Sequence, residues 1–149
     1  MLDRAVTHSK ILIIDDESTH IDFLRHLLAA HNYRRANIQG VTNPRDALSG
    51  FNEFQPDLVI LDLLMPGVGG MQVLKQLRAS IPSQTFLPVL VVTSDLTIES
   101  RREALACGAT DFVVKPYESA EILLRIENLL YTRVLHCELA RIQAGSKGA

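Results

Sequence analysis

Leu58-Val59-Ile60-Leu61, closed at once by Asp62, is the stretch on which the fold turns. Four large apolar residues with no polar alternation describe a strand buried on both faces, the mark of a parallel sheet covered by helices. The same unit recurs along the chain. Ile11-Leu12-Ile13-Ile14 ends in Asp15-Asp16, Val89-Leu90-Val91-Val92 in Thr93-Ser94, and Phe112-Val113-Val114 in Lys115-Pro116. A weaker run over 36–41 stands between the first and second.

The segments between these runs carry helical spacing and helical punctuation. Ile21, Leu24, Leu27 and Leu28 recur at three and four residues behind Ser18, which is read as an N-cap. Asn43-Pro44 is a cap with proline at the first helical position, leading to Ala47, Leu48 and Phe51. Gly69-Gly70 opens a helix carrying Met71, Val73, Leu74 and Leu77, with Pro82 beyond its end. Thr97 starts another, with Ala104 and Leu105 on its inner face and Gly108 just past its end. The last starts near Glu118 and carries Ile122, Leu123, Ile126, Leu129 and Leu130. Five strands alternating with five helices predict a doubly wound α/β domain with helices on both faces. We place a tail at 1–9, the domain at 10–131 and a helical extension at 132–149.

Length and composition set limits. A chain of 149 residues, 47% of them apolar, suits one domain with a substantial core. No apolar run approaches the roughly 18 residues of a membrane span. The first ten residues hold Asp3, Arg4, His8 and Lys10 and do not read as a signal peptide, so the expected compartment is the cytoplasm. A net charge of −2 argues against direct nucleic-acid binding. Cys107 and Cys137 have no metal-ligand spacing and are read as small, buried or half-buried hydrophobes in a reducing compartment. His20, His26 and His31 share one helix without an i, i+4 pair and are read as surface residues.

In a doubly wound sheet, ligands sit beyond the carboxyl ends of the strands. Those ends are where Asp15, Asp16, Asp62, Thr93 and Lys115 fall. Carboxylates crowded there repel, by about 4 kcal/mol for two charges ~4 Å apart at an effective dielectric near 20. A cation relieves this, and an oxygen-only donor set suits Mg²⁺. Thr93 and Lys115 then offer a hydroxyl and an ammonium to an anion, a combination built for phosphoryl chemistry. One Asp after a strand is ordinarily a turn former. Five such residues at four strand ends are not explained that way.

Over residues 10–131 the chain resembles the bacterial response-regulator receiver domain. The matches are Ile13-Ile14-Asp15-Asp16-Glu17, Leu61-Asp62-Leu63-Leu64-Met65-Pro66-Gly67, Gly70, Val92-Thr93-Ser94, Gly108-Ala109 and Lys115-Pro116. The resemblance implies a flavodoxin-like sheet of order 2-1-3-4-5 and a cis peptide before Pro116. It implies that a histidine kinase or phosphotransfer protein phosphorylates Asp62. Mg²⁺ would be bound by Asp16, Asp62 and the main-chain carbonyl of Leu64, with Asp15 acting through water. Thr93 would hydrogen-bond a phosphoryl oxygen, Lys115 would pair with its charge, and Phe112 would turn inward on activation. Such a module turns over no external metabolite. At two positions that steer the attacking water in the family, this chain has Leu64 and Asp95; the first predicts slow autodephosphorylation, and the second is a candidate to orient the water.

Beyond 131, Leu123, Ile126, Leu130, Val134 and Cys137 continue an apolar stripe up to a breaker at Gly145-Ser146-Lys147-Gly148. The stripe is read as a homodimer contact, with the face of the last two helices as the alternative surface; the other readings are a frayed end, a helix packed back on its own domain, and a linker to an output domain. No output domain follows in this sequence, so it is expected to be absent or truncated. Two competitors remain: a phosphate-independent pseudo-receiver that only binds partners, and a Mg²⁺-dependent phosphatase. The phosphatase would call for an acid two residues after the nucleophile, where Leu64 stands.

Overall fold

The computed structural model describes residues 2–147, although the side chains of Leu2 and Lys147 lie outside the description. Five strands, β1 (Ile11–Ile14), β2 (Ile38–Val41), β3 (Leu58–Leu61), β4 (Val89–Thr93) and β5 (Asp111–Val114), form one parallel sheet of order β2-β1-β3-β4-β5. Among the described residues there are six α-helices: α1 (Leu2–Thr7), α2 (Ser18–Ala30), α3 (Ala47–Phe54), α4 (Gly70–Ser80), α5 (Ile98–Ala106) and α6 (Ser119–Lys147). The fold class and the sheet order are as expected. The sixth helix is α1, in the segment read as a tail, where Val6 is buried and α1 packs on α6. A six-residue helix with one buried apolar residue leaves almost no periodic signal.

Two-faced burial follows from the pleat, since successive side chains of a strand point to opposite faces. Leu12, Ile14, Val59, Leu61, Val89, Val91 and Phe112 meet Ala47, Phe51, Val73, Leu74, Leu77 and Ala104 of α3, α4 and α5. Ile11, Ile13, Leu58, Ile60, Leu90, Val92 and Val113 meet Val6, Ile21, Leu24, Leu28, Ile122, Ile126 and Leu130 of α1, α2 and α6. Each core Leu or Ile contributes about 1.5–3 kcal/mol by leaving water.

Several local expectations change. Glu17 is the N-cap of α2, without a side-chain cap bond, and Ser18 is the first helical residue. Asn43 does cap, accepting from the Arg45 amide, but it opens a 3₁₀ turn at Pro44–Asp46 before α3 begins. Thr97 caps α5 through the Ser100 amide, and Gly108 follows it at φ +108. Leu105 faces outward at 47% exposure, so α5 buries only Ala104. Helix α6 continues through Gly145 and Ser146 of the expected breaker to Lys147, and Gly148 lies outside the described residues.

The apolar stripe on α6 is largely consumed by its own domain. Ile126 and Leu130 are fully buried, and Leu123 and Val134 pack against the same core. Arg133 donates to the Phe86 carbonyl (3.0 Å) and lies 3.4 Å from Asp57, while His136 stacks on Phe86. The docked part of α6 therefore extends to His136. A different row, Leu135, Leu139 and Ile142, is exposed at 51–58%. No described helix is long and apolar enough to cross a membrane.

Candidate functional site

All the rim residues come together at the carboxyl edge of the sheet. Asp15 and Asp16 follow β1, Asp62 follows β3, Thr93 ends β4 and Lys115 follows β5. Pairing of Ile14 with Leu61 in β1 and β3 sets the two acidic ends side by side. Oxygens of Asp15, Asp16 and Asp62 lie within 4.8 Å of one another. Asp15 and Asp62 are buried, whereas Asp16 is more open to solvent.

The loop after β3 is shaped by Gly70. A Cβ there would stand 2.3 Å from the Asp62 carbonyl oxygen and 2.4 Å from Leu63 Cα, so α4 approaches the acidic loop closer than any other residue permits. The Leu64 amide donates to Asp62 Oδ1 at 3.0 Å. Lys115 Nζ lies 3.3 Å from both Asp15 Oδ2 and Asp62 Oδ2, bridging the two buried carboxylates. The Lys115–Pro116 peptide is cis.

Electrostatics divide the two acids. Burial raises the Asp62 carboxyl above its ordinary value, and the charge of Asp15 adds to this. The Leu64 amide and Lys115 offset only part of it. Burial also acts on Asp15, but the hydrogen bond from His20, the Glu17 amide and the Lys115 charge together hold it below its ordinary value. Lys115 is penalised by burial and still held above its usual value by its two carboxylate neighbours. Three carboxylates and one ammonium leave a formal charge of −2, which a hard divalent cation would balance, and every side-chain donor in the acidic cluster is oxygen. The residues fit Mg²⁺.

Thr93 is fully buried, with its hydroxyl accepting from the Asp95 amide at 3.3 Å. Asp95 is committed elsewhere: Oδ1 accepts from the Thr97 amide and Oδ2 from Ser100 Oγ. Both bonds serve the start of α5, and each oxygen keeps one further acceptor direction. Leu64 is 51% exposed at the rim. Phe112 is already inside, 5% exposed, with the Arg101 guanidinium over its ring at 5.7 Å.

His20 is not the surface residue that its spacing suggests. It is half-buried, with Nδ1 2.5 Å from Asp15 Oδ2 and Nε2 2.6 Å from the Tyr117 hydroxyl. The informative signal was its place in the first turn of α2, the end nearest the rim, rather than its spacing from other histidines.

The response regulator receiver domain family matches residues 11–127. The regulatory protein AtoC of Escherichia coli is 33% identical over 90% of this chain and 28% of its own length. The two-component response regulator PhoP of Pseudomonas aeruginosa is 34% identical over 81% and 51%. The chain thus spans about half the length, or less, of these relatives. Among solved structures, the Vibrio cholerae chemotaxis protein CheY4 superposes with a TM-score of 0.73 at 26% identity, covering 82% of this chain and 98% of that one. A putative response regulator from Chloroflexus aurantiacus gives 0.73 at 29%, covering 83% and 98%. With the acidic rim, the lysine bridge and the sheet order all in agreement, this chain belongs to the response regulator receiver domain family of two-component signalling.

Proposed function

We propose that Asp62 accepts a phosphoryl group from the histidine of a kinase or phosphotransfer protein, in a Mg²⁺-dependent reaction. The observation that carries this is the convergence of Asp15, Asp16 and Asp62 on one point, with Lys115 bridging the two buried acids. An oxygen of Asp62 bonds to phosphorus as the bond to the donor nitrogen breaks, and the electron pair leaves with the imidazole. Asp16, Asp62 and the Leu64 carbonyl are the groups that would hold the cation, with Asp15 taking part through water. When bound, the cation supplies neutralisation of the charge on the transferring group. Lys115 exchanges a carboxylate for a phosphoryl oxygen, and Thr93 turns its hydroxyl towards the new acceptor.

Phe112 is the packing element that such a switch would move. Its ring is 5% exposed beneath the Arg101 guanidinium, so the effect of the phosphoryl group on β4 and β5 would reach it through Thr93 and the Arg101 stack. The output lies in partner binding or self-association.

The decisive experiment is incubation with Mg²⁺ and acetyl phosphate followed by intact-mass measurement. One phosphoryl adduct that disappears in Asp62→Asn is expected. No adduct, or one that survives that substitution, would overturn the assignment.

A further inference from the structure

His20 is engaged at both ring nitrogens. An ionised carboxylate only accepts hydrogen bonds, so Nδ1 must carry the proton it shares with Asp15. In the neutral ring Nε2 then accepts, and the Tyr117 hydroxyl is the donor. With the ring neutral, the contacts form a chain with one direction, from Tyr117 through His20 to Asp15. Tyr117 is itself held in place, half-buried, edge-on to the His20 ring at 5.8 Å and tilted against Phe23 at 6.4 Å. The chain ties the first turn of α2 to the loop between β5 and α6.

The consequence appears in the acceptor capacity of Asp15. A carboxylate has about four lone-pair directions. Oδ1 accepts the Glu17 amide at 2.9 Å, and Oδ2 accepts both His20 and Lys115. Oδ2 is full, and one direction remains open, on Oδ1. Without His20, Oδ2 would be held only by Lys115, a flexible side chain shared with Asp62. The terminal carboxylate torsion is soft and would then be restrained only by the Glu17 amide and the shared lysine.

We propose that His20, braced by Tyr117, is a positioning residue of the acidic site. It fixes the Asp15 carboxylate so that a single acceptor direction is presented to a hydrated divalent cation, and so sets the affinity for that cation. This rests on the phosphoacceptor reading of the same site. Groups that hold a metal ligand's orientation typically matter by 10–100-fold in affinity. Because Asp15 acts through water, the lower end applies.

The test compares wild type, His20→Ala, His20→Asn and Tyr117→Phe, each confirmed folded by circular dichroism. Mg²⁺ affinity of the unphosphorylated chain is measured by calorimetry. Imidazole ¹⁵N shifts of the Mg²⁺-free wild type report which nitrogen of His20 is protonated. His20→Ala should weaken Mg²⁺ binding about tenfold, with Tyr117→Phe in between. Asparagine places an amide nitrogen near the position of Nδ1, so His20→Asn should restore most of the affinity. Nδ1 should carry the proton. Unchanged or tighter binding in His20→Ala, no recovery with asparagine, or a proton only on Nε2 would each overturn the proposal. An Asp62 adduct with unchanged His20→Ala affinity sinks the role of His20 alone. A wild type that neither binds Mg²⁺ nor forms the adduct sinks both.

Discussion

At the scale of single residues, the site is built at a cost to the fold. Asp62 is 6% exposed, and burial raises its carboxyl above the unfolded value. The folded state therefore binds that proton more tightly than the unfolded chain does. Stability contributed by Asp62 falls as pH climbs from the ordinary carboxylate range through the raised value. At neutral pH, without divalent metal, Asp62→Asn should be more stable than wild type by about 0.5–2 kcal/mol, as expected where function strains a site. Denaturant melts in EDTA at pH 7 measure this, and a less stable variant would show that the Lys115 pair outweighs burial. Leu64 and Asp95 bear on the lifetime of the phosphoryl group. Leu64 cannot orient a water, and the Asp95 carboxylate is held in place by the bonds that start α5. Leu64→Asn should therefore shorten that lifetime several-fold, followed by loss of the mass adduct; decay no faster than wild type would refute it. Asp15, Asp16, Asp62, Thr93 and Lys115 were legible because each ends an apolar run. His20 and Tyr117 were not, because their contact spans 97 positions and has no pattern within either segment.

At the scale of elements, α4 and α5 are unequal. Gly70, Val73, Leu74 and Leu77 of α4 are buried, and Arg78 bonds the Gly108 and Leu87 carbonyls and Thr110. By contrast, α5 buries Ala104 alone and leaves Ile98 and Leu105 exposed. Few buried apolar contacts mean easy local opening. Amides of 98–106 should exchange at least about tenfold faster than those of 73–78, and equal protection would contradict this. The strands were readable from their unbroken apolar runs. Reading α5 inward through Leu105 went astray because a nine-residue helix with a weak apolar stripe does not fix its own rotation. The helix at Leu2–Thr7 was hidden for a related reason, since it depends on α6 for a surface to pack against.

At the scale of the whole molecule, the last helix serves two purposes along its length. Up to His136 it completes the core and is bonded to the loops beside β3 and β4. From Leu135 onward its outer face presents Leu135, Leu139 and Ile142 at four- and three-residue steps, the seam spacing of paired helices. We propose that this row, rather than the stripe ending at Cys137, joins two copies. Sedimentation across a concentration series should show a reversible dimer that is lost when the three residues become Gln. A wild type that stays monomeric throughout, with and without a phosphoryl mimic, would exclude it.

The continuity of α6 has a mechanical meaning as well. At 1.5 Å per residue, its 29 residues make a rod about 43 Å long, and the stretch past His136 accounts for about 16 Å of that. A rod with one end clamped is a lever arm. Each degree of tilt at the clamp carries the far tip sideways by roughly 0.3 Å, so a sub-ångström readjustment of the domain reaches the end of the helix as a directed sweep.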